Sequence, residues 1–310
     1  MNYQIDLRDL RYFETIAELG HLGRAAKQLH RTHPALTGCV RRLEAALGTP
    51  LFERVGRGIR LTGAGEALFA RARQLRVAAD ETVREIQDVG RGAAGHIRIG
   101  VVPTGAYEFL PELCRSLLAE TKDITLKTVI AQNDLLIASL HAGELDLLIS
   151  SDPQNERDFV SRPVFEDEVV VTASAKHEVL RKRPRLRDLL DYRWVLAAPS
   201  VETRQWLDQV FDRAGLARPT VQIETNLVLL LPPLIEQTGL LSFISRRHLG
   251  AGRIGSGLKE VTLKETTMRR TFKLIYRKGS YLPPSAQRLV SLLGTKDGTA
   301  IERQLVRTKP

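Results

Sequence analysis

Apolar positions repeat with a helical period through the first ninety residues, then give way to short runs that alternate with further helical stretches. Leu10, Phe13 and Ala17 put one apolar face on a helix over residues 7–19. Arg24-Ala25-Ala26-Lys27-Gln28-Leu29-His30 is a second, short helical pattern, and it breaks at Arg31-Thr32. A third helix starts there. Thr32 suits an N-cap, Pro34 is tolerated only in a first turn, and Leu36, Val40, Leu43 and Leu47 recur at spacings of four, three and four. Pro34, Thr37, Gly38 and Arg41 fall on the opposite side, with His33 near the edge and Arg41-Arg42 at the end. Such a face of small and polar groups can approach another surface closely, and the bases of a major groove are one such surface. A plain helical hairpin shares this geometry. Leu51-Phe52-Glu53-Arg54 and Ile59-Arg60-Leu61 then alternate around Gly56-Arg57-Gly58, which predicts a β-hairpin, a wing beside the two helices.

Over residues 63–89 the positions Leu68, Ala72, Leu75, Ala79, Ile86 and Val89 follow a three-four repeat broken only at Thr82. A helix of that length spans about 40 Å, more than a small winged domain can cover, so it predicts a dimer contact. The string Gly90-Arg91-Gly92-Ala93-Ala94-Gly95 has the letters of a dinucleotide fingerprint, yet it follows a helix and opens a strand, the reverse of what that motif needs. It reads as a hinge. Beyond it strands near 97–102, 124–130 and 145–149 alternate with helices near 106–120 and 134–142. A second series opens at Val169–Ala173, with strands at 193–197, 220–224 and 240–244 and helices at 202–214 and 227–238. Strand 272–276 and helix 284–294 close the chain and return to the first series. The expected fold class is α/β, with two doubly wound lobes behind a helical N-terminal domain.

Charge sharpens the picture at one place. Residues 24–60 carry eight Lys and Arg against Glu44 and Glu53, a net +6 within a chain of net +10. Phosphate neutralisation needs such a patch. Other basic runs, at Arg181-Lys182-Arg183 with Arg185 and Arg187, at Arg246-Arg247 and at Arg269-Arg270, read as solvated faces. Cys39 and Cys114 have neither disulfide nor zinc spacing and read as buried thiols. Seven histidines are scattered without a metal motif, and neither a P-loop nor a nucleophile elbow occurs, so neither catalysis nor a cofactor is expected. Without an eighteen-residue apolar run, and with Asp6, Arg8, Asp9 and Arg11 interrupting the start, the expected location is the cytoplasm, with no membrane partner.

Leu10-Arg11-Tyr12-Phe13, Arg24-Ala25-Ala26, Pro34-Ala35-Leu36, Arg42-Leu43-Glu44, Leu47-Gly48, Pro50-Leu51-Phe52-Glu53-Arg54, Leu61-Thr62 and Gly65-Glu66 follow one another without a gap. In order and spacing they resemble the N-terminal winged helix-turn-helix of LysR-type transcriptional regulators. Leu110-Pro111, Gly143-Glu144-Leu145-Asp146 and Gly239-Leu240 continue the likeness more loosely. The chain departs from that pattern at Gly23, where serine or threonine is usual, and at His33, where glutamine is. It departs again at Gly38, Gly63 and Leu241. The resemblance implies a winged helix-turn-helix over 1–62, a dimerising linker helix over 63–90 and an effector-binding domain over 91–310. That last domain resembles periplasmic binding proteins, with lobe I at about 91–165 and 269–303 and lobe II at about 166–268. The resemblance also includes peroxide-sensing relatives with a cysteine pair in the C-terminal half, which this chain lacks.

The implied partners are double-stranded promoter DNA, a small-molecule effector, a homodimer or homotetramer, and RNA polymerase. His33, Pro34 and Thr37 are the expected base-edge residues. Arg41, Arg42, Arg54 and Arg57 are expected mainly at the phosphates, with the wing arginines able to reach the minor groove, and Arg24 and Thr32 are further expected DNA-binding residues. For the effector, a small organic anion suits the ends of the strands, where helix N-termini present free N–H groups. Thr104, Asn133 and Ser200 stand at those places, although plain N-capping selects the same residue types equally well. The alternatives are an architectural DNA protein without an effector, or an enzyme fused to a DNA-binding module.

Overall fold

The computed structural model describes residues 5–56, 58–91, 95–120, 124–151 and 157–294. The chain divides into two compact units, Met1–Gly92 and Ala93–Pro310.

Helix α1 (Leu7–Leu19) is capped by Asp6, which accepts from the Arg8 N–H, and closes on Gly20 at φ +59°. Helix α2 (Leu22–Gln28) follows. The serine or threonine missing at Gly23 is replaced in its capping role by His21, whose Nδ1 accepts from the Gly23 N–H at 3.0 Å. Helix α3 (His33–Leu47) starts on the Thr32 hydroxyl, which accepts from the Ala35 N–H, and ends on Gly48. Leu10, Phe13, Cys39, Leu43, Leu51 and Ala72 form one core cluster, and Ile16, Ala25, Ala26 and Leu36 a second. The apolar stripe read along α3 is therefore shifted. Cys39 takes a core position, and Leu47 at its end is 40% exposed. The wing is β1 (Phe52–Val55) antiparallel to β2 (Gly58–Leu61), in register from Phe52↔Leu61 to Val55↔Gly58.

Helix α4 (Gly63–Arg91) is more than a connector. Its first half belongs to the winged core: Ala72 and Val77 are buried, and Arg76 donates to the buried Glu14 at 3.1 Å and to Asp80 at 3.2 Å. Leu75, Val83 and Ile86 are exposed. The side chain of Val89 lies outside the described residues. So does part of the expected hinge: the helix runs on through Gly90 and Arg91, and residues 92–94 are not described.

The C-terminal unit has two lobes. In lobe I, β3 (His96–Val101), α5 (Pro103–Glu120), β4 (Thr125–Ile130), α6 (Asn133–His141) and β5 (Leu147–Ser150) build a parallel sheet in the order β4-β3-β5. Two long strands cross from this sheet to the next: β6 (Phe159–Ser174) and β11 (Met268–Arg277), antiparallel from Met268↔Val169 to Arg277↔Phe159. The runs read at 169–173 and 272–276 are only parts of them. Lobe II adds β7 (Arg193–Leu196), α7 (Glu202–Arg213), β8 (Thr220–Glu224), α8 (Leu231–Thr238), β9 (Ser242–Ser245) and β10 (Leu258–Glu260). Strands β7 and β8 are parallel, β9 and β10 pair with β6, and a bridge between Trp194 and Leu241 joins the pieces. The helix expected at 227–238 is shorter. A 3-10 turn occupies Val228–Leu230, and Pro232-Pro233 fits only the first turn of α8. Helix α9 (Pro284–Gly294) returns to lobe I, placing Ala286, Leu289 and Leu293 in its core.

Candidate functional sites

The first site is the outer face of α3 with the wing. His33, Pro34, Arg41 and Arg42 are exposed and Thr37 is half-buried, so the small polar side of the helix faces away from the core. The Thr37 hydroxyl donates to the His33 carbonyl at 3.0 Å and sits 3.5 Å from the His33 ring nitrogen, which links the two side chains. A partner therefore meets the Thr37 methyl group and oxygen lone pairs rather than its proton. The cations are not equivalent. Arg42 donates twice to the buried Asp9, at 2.9 and 2.7 Å, so much of its charge is answered inside the unit. Arg60 is held on Glu53 at 2.8 Å, and Arg31 on the Tyr12 hydroxyl at 2.9 Å. Arg24, Lys27, Arg41 and Arg54 are exposed and, among the described residues, in no ion pair. Thr32 stands at the helix start as its cap. Arg57 lies outside the described residues.

The second site is a cavity of about 310 Å³ between the lobes of the C-terminal unit. It opens at the carboxyl ends of the parallel strands, as doubly wound folds require. Thr104 lines it from the first turn of α5, Asn133 from the start of α6, and Ser200 from the approach to α7. Asn133 is held in place by the Ser150 hydroxyl, which donates to its side-chain oxygen at 2.7 Å. Val102, Phe243, Ile244 and Leu231 supply apolar wall.

Sequence reasoning missed the floor. Arg270 of β11 and Asp167 of β6 are register partners, so the crossing strands set them side by side. Arg270 donates to Asp167 at 2.9 and 2.7 Å, and both side chains are almost wholly buried. The Ser245 hydroxyl donates to the other Asp167 oxygen at 2.6 Å. Arg269-Arg270 had read as a solvated pair. The strand alternation splits it, with Arg269 outward on Glu168 and Arg270 inward. Next to Asp167 the imidazole of His248 is pushed down to about 4 by burial, against the pull of that carboxylate, and its ring meets Tyr107 of α5 edge-on at 5.3 Å. At the mouth, the Ser151 hydroxyl of lobe I donates to Glu202 of lobe II at 3.0 Å, a hydrogen bond across the cleft.

Comparison with known proteins gives both halves a family. Residues 7–66 match the bacterial regulatory helix-turn-helix protein model of the lysR family, and residues 90–297 match the LysR substrate binding domain. The chain belongs to the LysR family of transcriptional regulators. It is similar to the HTH-type transcriptional regulator GalR of Pseudomonas putida, at 28% identity over 94% of this chain and 74% of that one. It is similar also to XapR of Escherichia coli, at 32% identity over 72% and 76%. The fold matches full-length CbnR complexed with its target DNA, with a TM-score of 0.61 at 22% identity, over 93% of this chain and 99% of that one.

As a LysR-type regulator the chain is a DNA-binding transcriptional regulator with an effector-binding domain. Its relatives are named as transcriptional regulators. Among the described residues no cluster of His, Cys, Asp and Glu could hold a metal ion, and no helix is long and apolar enough to cross a membrane.

Proposed function

We propose that this regulator binds a partly palindromic promoter site as a dimer of dimers in the cytoplasm, and that it acts without catalysis. Helix α3 enters the major groove, with His33, Pro34 and Thr37 nearest the base edges. Arg24, Arg41, Arg54 and Arg57 answer phosphates, the wing pair reaching the minor groove, while Thr32 holds the helix start at the backbone. Arg42 contributes less, because Asp9 already takes two of its donors. The observation that carries the reading is the α3 face itself: small, polar, turned away from the core and flanked by uncommitted cations. The exposed Leu75, Val83 and Ile86 of α4 supply an apolar strip for a second copy.

A small organic anion binding in the cleft is the effector. The N-termini of α5, α6 and α7 surround that cavity, and their N–H groups and dipoles favour negative charge. Lobe I (about 91–165 and 269–303) and lobe II (about 166–268) move about the β6–β11 pair. The ligand shifts the assembly only so far as it prefers one arrangement, and the change is read by RNA polymerase at the promoter.

Two substitutions separate the DNA roles. Arg54→Ala should weaken binding to every DNA sequence and lower the slope of affinity against salt. Thr37→Ala should change the preference among sites and leave that slope alone. Equal losses on all sequences from both variants would defeat the assignment.

A further inference from the structure

Among the described residues Arg270 is the one cation lining the cavity, and its bonding is incomplete in a specific way. Both of its hydrogen bonds to Asp167 leave from Nε and Nη2. Among the described residues no protein atom accepts from Nη1, and that edge still reaches solvent. The group is also rigid. Its Cζ lies 4.9 Å from the centroid of the Phe272 ring, and Asp167 is itself fixed by the Ser245 hydroxyl. Gly105 of α5 lets the helix start close on that ring: a Cβ there would stand 2.9 Å from Phe272. A nine-tenths-buried guanidinium, held by Asp167 and the Phe272 ring with three N–H donors left over, two of them on Nη1, is a preorganised site for a hydrogen-bond acceptor.

The rest of the lining limits what can use it. Asp134 and Glu202 are the other charged side chains of the cavity, both carboxylates, and Asp167 already balances Arg270. A ligand with two or more negative charges would meet two carboxylates at the same cavity. One with a single acid group and N–H or O–H donors elsewhere would satisfy all three. The volume, at the lower end for ligand sites, suits a molecule of metabolite size.

We infer that Arg270 anchors the carboxylate of a small amino or hydroxy monocarboxylic acid, whose ammonium or hydroxyl group turns to Glu202 and Asp134. This rests on the reading of the cleft as the effector site and narrows the organic anion to a class. Because Arg270 and Asp167 belong to the two crossing strands, the anchored group sits on the elements that join the lobes.

The test uses the full chain and a panel of the common α-amino acids and α-hydroxy acids, each beside its carboxamide, with malate, succinate and glutarate as dianions. Thermal shift ranks the panel, and calorimetry measures the compounds that respond. The expected result is a concentration-dependent rise in melting temperature with at least one monocarboxylate, none with its carboxamide, and weaker effects from the dianions. Arg270→Lys keeps a cation for Asp167 and removes the outward edge, and should weaken the responding acid about 10- to 100-fold. The double variant Asp167→Asn/Arg270→Gln leaves no lone buried charge and should lose binding while melting cooperatively.

A responding acid that binds both variants as it binds the wild-type chain overturns the anchor. If Ser200→Trp, which fills the α7 side of the cleft, abolishes that binding, the cleft itself stands. Binding untouched by Ser200→Trp overturns the effector site as well. A panel in which only dianions respond, or none does, overturns the ligand class.

Discussion

Gly65 offers a test in which two elementary rules predict opposite signs. Gly65 lies in the first turn of α4, and helix propensity favours Gly65→Ala by about 1 kcal/mol. Packing opposes it. A Cβ at position 65 would stand 2.1 Å from the Leu51 carbonyl oxygen and 2.9 Å from a Leu61 methyl group. The carbonyl cannot turn aside. It accepts from the Thr62 N–H at 3.0 Å, and the Leu51 N–H is held by Glu44 at 2.8 Å. Relief needs a shift of roughly 1 Å between α4 and the chain entering the wing. Overpacking of this kind costs about 1–3 kcal/mol, and a lost hydrogen bond adds about 1. The net expectation is a loss of about 1–3 kcal/mol, a fall of roughly 5–20 °C in the melting of a unit this size. Gly63→Ala on the same helix is the control, because a Cβ there meets nothing within 4 Å, and it should be neutral or mildly stabilising.

The assay must see the right unit. Both tryptophans, Trp194 and Trp206, lie in the C-terminal unit, so their fluorescence is blind to this change. Hydrogen exchange of α1–α4 amides against temperature reports it directly. The displaced wing should also weaken DNA binding. Protection at or above the wild-type level in Gly65→Ala would refute the packing argument.

Three further outcomes follow from the same structure. Gly38→Ala adds a Cβ whose nearest neighbour is Arg42 Nη1 at 3.6 Å, so α3 should gain about 1 kcal/mol in exchange protection. The new methyl group lies on the α3 face opposite its core stripe, and site selection from a random DNA pool should return a different consensus. His248 sits at about 4 in the folded chain, against an ordinary 6.5, through burial and the cations Arg270 and Arg253, with Asp167 pulling the other way. The unfolded chain therefore takes up the proton first. The C-terminal unit should lose up to about 3 kcal/mol as pH falls from 6.5 to 4, and His248→Gln should flatten that slope in melts followed by tryptophan fluorescence. The Cys39 thiol is pushed up to about 12 by burial and then by Asp9, and burial also raises Cys114, which is only half-buried. Mass spectrometry after brief alkylation should find Cys114 labelled first; rapid labelling of Cys39 in the native chain would contradict its burial.

Much of the architecture was legible because its signals are local. Thr32, Pro34 and the four-three-four spacing act within a few residues, and α3 forms from Thr32 to Gly48 as that pattern predicts. The wing follows from alternation around two glycines. Every parallel strand of the C-terminal unit overlaps a range expected as a strand from the sequence. Thr104, Asn133 and Ser200 could be placed at one cavity because the carboxyl ends of parallel strands share one edge.

Read alone, then, the sequence specified most of the elements, the Thr32 cap of α3 and the family to which they belong. The tertiary structure decided which charges meet. Asp9 claims Arg42 across 33 residues, and Asp167 claims Arg270 across 103. The pleat of β11 sends Arg269 and Arg270 to opposite faces, and its packing beside β6 decides that Arg270 is the inward one. Gly65 and Gly105 are constrained in ways no local rule announces, since the close contact comes from a carbonyl and a ring brought in from elsewhere. The reason is range. Helical period, caps and turns depend on neighbours a few residues away. Strand register and helix approach depend on contacts between distant segments, and those exist only once the core has closed.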